Sequence, residues 1–231
     1  TWAPSFQYDR YVPKDFTTFV TWHGGDTYNQ FLYGMIIEAL DGISYEVQNK
    51  PQLSQTEGLG PYRHEGACKR ILKSFLGNSY ARIIPRNWNK VVFVSNYLRP
   101  WDLFRLQLSL GQLPSIISLW PKTRNVQPNI ELRKKIELAP VQNEFETLLR
   151  KMIPLQIPTV YIEEYAEMSQ RAYSLFPRRP RVIFSQNAHY GNDGFKFWAA
   201  DQVEHGVKFL GMQHGGHYGC SLWSALENHE I

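Results

Sequence analysis

The last fifty residues restrict the fold more than any other part of the chain. Residues 181–185, Arg181-Val182-Ile183-Phe184-Ser185, read as a strand around an apolar centre, and residues 187–192 read as its exit loop. Asp193 is placed to cap a helix whose buried stripe is Phe195, Trp198, Ala199 and Val203, and Gly206 is placed to close it. Residues 207–212 return as a second, short buried strand. A strand, a helix and a strand in one sheet require the two strands to run parallel, with a right-handed crossover expected. The fold class that follows is α/β, a Rossmann-like parallel sheet with flanking helices. It also follows that the exit loops at residues 185–192 and 213–219 open on the same edge of that sheet.

The second of these loops is Gln213-His214-Gly215-Gly216-His217-Tyr218-Gly219, and residues 220–226 after it can form a helix. Glycines at the carboxyl end of a parallel strand let a substrate approach the backbone, and free N–H groups at a helix start face anions. An imidazole titrates near neutrality, so His214 is the candidate general base for a hydroxyl nucleophile, with His217 and Tyr218 as nearby donors. Gly215 and Gly216 would orient substrate oxygens through their amides. On the first loop Asn187 and His189 could hold sugar hydroxyls, and Lys196 could meet a phosphate.

A second His-Gly-Gly, at residues 23–25, lacks a strand–helix frame and reads as a turn. Ahead of it a short element is expected at residues 15–20. After it Thr27 and Gln30 have capping-box spacing, and Met35, Ile36, Ala39 and Leu40 recur at helical intervals. Residues 43–66 read as a long polar connection, residues 67–76 as a helix and residues 91–94 as a strand. Residues 100–110 predict an apolar helix buried around much of its circumference, stopped by Gly111. Residues 130–138 predict an exposed helix. Phe145, Leu148, Leu149 and Met152 predict one that stops at Pro154, and Pro158 is expected to start another that carries Ile162, Tyr165, Ala172, Tyr173 and Phe176 inward. The implied organisation is a helix-rich region over residues 1–130 and a βαβ-containing region over residues 131–231.

Composition sets wider bounds. The 231 residues are 43% hydrophobic and 20% charged, which is globular, and no run approaches the length of a membrane span. Cys68 and Cys220 form neither a disulfide framework nor a zinc knuckle, so a reducing cytoplasm is the expected setting. The net charge of +4 and the clusters Arg133-Lys134-Lys135 and Arg178-Arg179 with Arg181 suit an anionic partner or a solvated face. The basic residues are not interleaved with aromatics as in RNA-reading motifs, so no nucleic-acid partner is expected. The chain begins at Thr1 without an initiator methionine and is read as a piece of a longer protein.

Several segments resemble a family of transferases encoded in bacterial O-antigen and surface-carbohydrate gene clusters. They are Asn29-Gln30-Phe31-Leu32-Tyr33, Tyr97-Leu98-Arg99-Pro100-Trp101 running on through Gly111 to Pro114, and Ile157-Pro158-Thr159-Val160-Tyr161. Phe195-Lys196-Phe197-Trp198, the Gln213–Gly219 stretch and Glu227-Asn228-His229-Glu230 follow in the same order. The resemblance covers most of the chain from about residue 8 and implies a GT-B-like enzyme of two Rossmann-type halves, this chain being the N-terminal part and the donor-binding half lying beyond residue 231. It implies transfer of a sugar or alcohol-phosphate unit from a nucleotide-activated donor to a saccharide acceptor on a lipid carrier. The setting would be cytoplasmic, with peripheral contact to the anionic inner membrane face. His214 would be catalytic, and Gln213, Gly215, Gly216, His217, Tyr218, Asn187, His189, Lys196, His229 and Glu230 would contact substrate. No metal or other cofactor is called for. Two further readings stay open: a metal-dependent hydrolase with His214, His217, His229 and Glu230 as ligands, and a non-catalytic carbohydrate-binding subunit.

Overall fold

A computed structural model describes residues 12–40, 42–46, 90–114, 121–136 and 143–212. In chain order the described elements are α1 (Phe16–His23), α2 (Asp26–Ala39), β1 (Val91–Val94), α3 (Pro100–Ser109), α4 (Ile130–Lys134) and α5 (Glu144–Gln156). A 3-10 turn (Thr159–Tyr161) follows, then α6 (Tyr165–Leu175), β2 (Val182–Ser185), α7 (Ala188–Gly191), α8 (Asp193–Glu204) and β3 (Lys208–Gly211). The chain divides into two compact units, residues 1–63 with 123–166 and residues 64–122 with 167–231.

The second unit holds the expected α/β fold. Its three strands lie in the order β1-β2-β3 and both pairings are parallel. Val91, Val182 and Lys208 stand in register at one edge, and Val94, Ser185 and Gly211 lie toward the other. Side chains alternate across a strand, so Val92 and Ile183 share one face. That face packs with Ala172 and Phe176 of the α6 segment, Ala188 of α7, and Phe195, Trp198 and Ala199 of α8. Phe176 stacks on Trp198 with ring centroids 4.8 Å apart, and the Trp198 indole N–H donates to the Pro177 carbonyl at 2.9 Å. On the other face Phe93 meets Phe184 at 5.5 Å.

Local chemistry explains the ends of α8. Asn192, rather than Asp193, is the N-cap: its side-chain oxygen accepts from the Phe195 amide at 3.0 Å. Asp193 becomes the first helical residue, where its carboxylate suits the helix dipole. Gly206 terminates the helix with φ +86°, a conformation that favours glycine, and turns the chain into β3. Gly194 is required for a different reason. A Cβ there would lie 2.0 Å from Cγ of Pro121, which packs directly against the helix backbone.

Val203, expected in the buried stripe of α8, is exposed, and Gln202 is buried in that turn instead. Two larger expectations for this unit are also corrected. β3 is not a buried strand, since all four of its residues are exposed. It ends the strand order among the described residues, and Phe209 keeps contact through ring packing with Phe195 at 6.3 Å. Nor is α3 buried over most of its surface. Gln107 is its buried residue, whereas Trp101 is 64% exposed and Phe104, Leu106 and Leu108 are exposed too. Apolar periodicity records what a helix could bury, not what arrives to cover it. The link to the sheet is polar: Gln112, just beyond α3, accepts from the Val91 amide at 2.9 Å and donates to the Val91 carbonyl at 2.8 Å, as a neighbouring strand would.

In the first unit, Tyr28 and Met35 of α2 pack with Leu148 and Met152 of α5. The Tyr28 hydroxyl donates to the side-chain oxygen of Gln156, and burial pushes its pKa up to about 12. Asp15 caps α1 by accepting from the Thr18 amide at 2.7 Å, and it also receives the Thr123 hydroxyl at 2.6 Å. The turn expected at residues 23–25 joins α1 to α2. Gly25 rather than Thr27 is the N-cap of α2, so the helix starts at Asp26, and both Thr27 and Gln30 lie within the helix.

α5 runs through Pro154 to Gln156 rather than stopping there. Proline loses an amide and crowds the preceding turn, but Pro154 lies close to the helix end and is buried. The basic cluster at residues 133–135 also differs from expectation. Arg133 is fully buried and forms a two-pronged pair with Glu163, 2.7 Å at each contact, while its remaining nitrogen donates to the carbonyls of Pro154 and Ile157 at 2.8 Å. Burial pushes the Glu163 carboxyl up, but the Arg133 hydrogen bond and charge and the Asn129 amide outweigh it and hold the group below its ordinary value. After Pro158 the chain makes only the 3-10 turn before α6. There Ala172 and Phe176 face inward as expected, but Tyr165 is exposed.

Candidate functional site

Because β1, β2 and β3 are parallel, their exit loops leave from one edge of the sheet. At β1 the exit residue is Ser95, which has φ +52°, a left-handed conformation that a non-glycine residue adopts at some cost and that recurs where structure serves function. At β2 the exit residues are Gln186 and Asn187, and at β3 the exit residue is Met212.

These residues hold one another. The Gln186 amide donates to the Ser95 carbonyl at 3.2 Å, and the Met212 amide donates to the Ser185 carbonyl at 3.1 Å. The Gln186 side chain accepts from the Tyr97 amide and donates to the Met212 sulfur at 3.4 Å. Asn187 accepts the Ser95 hydroxyl through its oxygen and donates to the Tyr97 hydroxyl at 2.7 Å through its nitrogen. Ser185 is fully buried and its hydroxyl accepts from the Ala188 amide at 3.0 Å, which fixes the start of α7. The outcome is a row of amides and hydroxyls with defined orientation, from which the Tyr97 ring stands 61% exposed.

The other expected residues on this edge are set slightly apart. The His189 ring, on α7, meets Phe209 of β3 edge-on at 5.8 Å. The Lys196 ammonium lies 3.0 Å from the Asp193 carboxylate, so a phosphate approaching the start of α8 meets a lysine already paired with an acid. Nearby, the side-chain nitrogen of Asn192 is buried without a hydrogen-bond partner among the described residues. Gln213, His214, Gly215, Gly216, His217, Tyr218, His229 and Glu230 lie outside the described residues.

Asn187, His189 and Lys196 thus come from one stretch of chain that follows β2, and Ser95, Tyr97 and Gln186 join Asn187 there without having been singled out by the sequence. The available signal was positional. Ser95 follows β1 as Gln186 follows β2, but pairing the two required the strand order, which the sequence does not state. Among the described residues no three His, Cys, Asp or Glu side chains stand together as a metal site would require. No helix among them is long and apolar enough to cross a membrane.

A three-stranded parallel sheet with flanking helices and polar exit residues on its carboxyl edge defines the class, an α/β protein. The chain belongs to the LIC12162 family of transferases, whose family model matches residues 1–231. No curated protein and no solved structure compared with it matches the chain.

Proposed function

We propose that the protein takes part in surface-polysaccharide biosynthesis as one half of a GT-B-like enzyme. It would transfer a sugar or alcohol-phosphate unit from a nucleotide-activated donor to a hydroxyl of a saccharide acceptor on a lipid carrier. The observation that carries this reading is membership of a transferase family, joined to the course of the chain. Met212 is bonded to Ser185 at the carboxyl edge, and the Gln213–Gly219 stretch continues from it in sequence.

The chemistry asked of the site is simple to balance. The acceptor hydroxyl gives its proton to the His214 imidazole as its oxygen forms a bond to the sugar carbon or phosphorus. The bond from that centre to the nucleotide breaks, and the nucleotide leaves with the electron pair. Gly215 and Gly216 supply amides to substrate oxygens, and Gln213, His217, Tyr218, His229 and Glu230 make the remaining polar contacts. Asn187, whose amide is already oriented by Ser95 and Tyr97, together with His189, meets sugar hydroxyls. Lys196 serves the phosphate.

A binding screen of the full-length protein against nucleotide sugars and cytidine-linked alcohols identifies the donor, and binding of one nucleotide class is expected. In a transfer assay His214→Ala is expected to lower turnover by about 10² to 10⁴ with a smaller change in donor affinity. Unchanged turnover removes His214 from the mechanism, and no binding across the panel favours a non-catalytic subunit.

A further inference from the structure

The opposite edge of the same sheet has a different character. Lys90 precedes β1, Arg181 precedes β2, and Lys208 opens β3. The backbone sets them side by side, with the Arg181 amide bonded to the Lys90 carbonyl at 2.8 Å and the Lys208 amide bonded to the Arg181 carbonyl at 3.2 Å. Arg178 and Arg179 reach this edge on the loop from α6, between Pro177 and Pro180. The loop is pinned, since the Pro177 carbonyl accepts from Trp198 and the Arg179 amide donates to the Gln202 side chain at 2.8 Å. Arg179 is held there at φ +52°.

All five basic side chains are exposed, and none has an ion-pair partner among the described residues. Two carboxylates lie on the adjoining end of α8. Asp201 is taken up by Gln202 and lies 3.6 Å from His205, and Glu204 is exposed. Beside the same edge, Gln112 binds β1 at Val91, and its neighbours Leu110 and Leu113 are 39% and 42% exposed. Basic side chains next to exposed aliphatic ones suit a surface that is anionic at the headgroups and apolar beneath them.

We propose that this amino edge of the sheet is a docking surface for an anionic phospholipid bilayer. Among the described residues the exposed apolar side chains flanking Gln112 are the aliphatic Leu110 and Leu113, whereas base stacking on aromatics is what single-stranded nucleic acids would require. The exit loops stand at the far end of the strands, so docking by this edge leaves them uncovered by lipid. The inference rests on the transfer reading for its purpose, since an acceptor on a lipid carrier is met at a membrane, but binding is measured without turnover.

The test is cosedimentation of the full chain with phosphatidylcholine vesicles that contain or lack phosphatidylglycerol. Binding is expected only to the anionic vesicles and is expected to fall at high salt. Replacing Lys90, Arg178, Arg181 and Lys208 together by Gln is expected to lower partitioning by about ten-fold or more. The single variant Arg178→Glu, on an exposed loop side chain, repeats the test if the quadruple variant does not keep the parent melting temperature. Equal binding to neutral vesicles, unchanged binding by the variants, or binding of single-stranded RNA in place of anionic vesicles would each overturn the proposal. Loss of vesicle binding with nucleotide-sugar binding intact separates this surface from the transfer site.

Discussion

At the scale of single residues the closest constraint is at Gly194. Alanine in an exposed helix position gains up to about 1 kcal/mol over glycine, so helix propensity alone predicts that Gly194→Ala stabilises. The Pro121 ring predicts the reverse. A methyl group 2.0 Å from its Cγ must displace the ring or the helix, at a cost of about 1 to 3 kcal/mol. Denaturant unfolding of the variant is expected to show net destabilisation, and a gain would mean that Pro121 does not pack on α8. Asn187 ties the exit loops of β1 and β2 together with Gln186, and Asn187→Ala removes the bonds to the Ser95 and Tyr97 hydroxyls while the Gln186 bonds remain. In a transfer assay a rise in acceptor KM is expected, with turnover less affected. A pure stability loss with unchanged KM would reduce Asn187 to a loop tie.

At the scale of elements, the Arg133–Glu163 pair joins α4 to the turn ahead of α6 and, through two carbonyls, to the end of α5. Arg133→Met leaves a carboxylate facing an apolar partner and is expected to cost about 3 to 5 kcal/mol, whereas the double variant with Glu163→Leu is expected to recover most of that loss. The pair also has a pH signature. Glu163 has a native pKa below its unfolded value of 4.5, so the pair's contribution is complete above that pH and is lost as pH falls through the lower native value. The acid limb of the stability profile is therefore expected to flatten in the double variant. The α2–α5 contact behaves oppositely. Tyr28 binds its proton more tightly when folded, so this contribution is full below pH 10 and is lost as pH rises toward 12. Tyr28→Phe is expected to flatten the alkaline limb, and an identical limb would mean that Tyr28 titrates as in water.

For the whole molecule, both compact units are discontinuous in sequence. Residues 131–231 contain β2 and β3 but lack β1, whose Val92 and Val94 belong to the core under α8. That segment expressed alone is expected to show no native near-ultraviolet dichroism, and a folded, cooperative fragment would mean that β1 is dispensable. The βαβ segment from β2 to β3 was readable beforehand because local signals agree there: a β-branched run, a capped amphipathic helix and a glycine stop each follow from neighbours in sequence. The same local logic located α2, β1, α3 and α5, and it set Asn187 and His189 on the segment that leaves β2. It could not say that Arg133 is buried while its neighbours in the cluster are solvated, because Glu163, which makes burial tolerable, lies thirty positions away. It could not foresee that α3 keeps Trp101 exposed, nor that Ser95 and Tyr97 join Asn187, nor that Lys90, Arg181 and Lys208 align. Periodicity and capping are properties of adjacent residues and are written in the sequence. Strand order, and with it the partner of every exit residue and every buried charge, exists only once the chain has closed on itself.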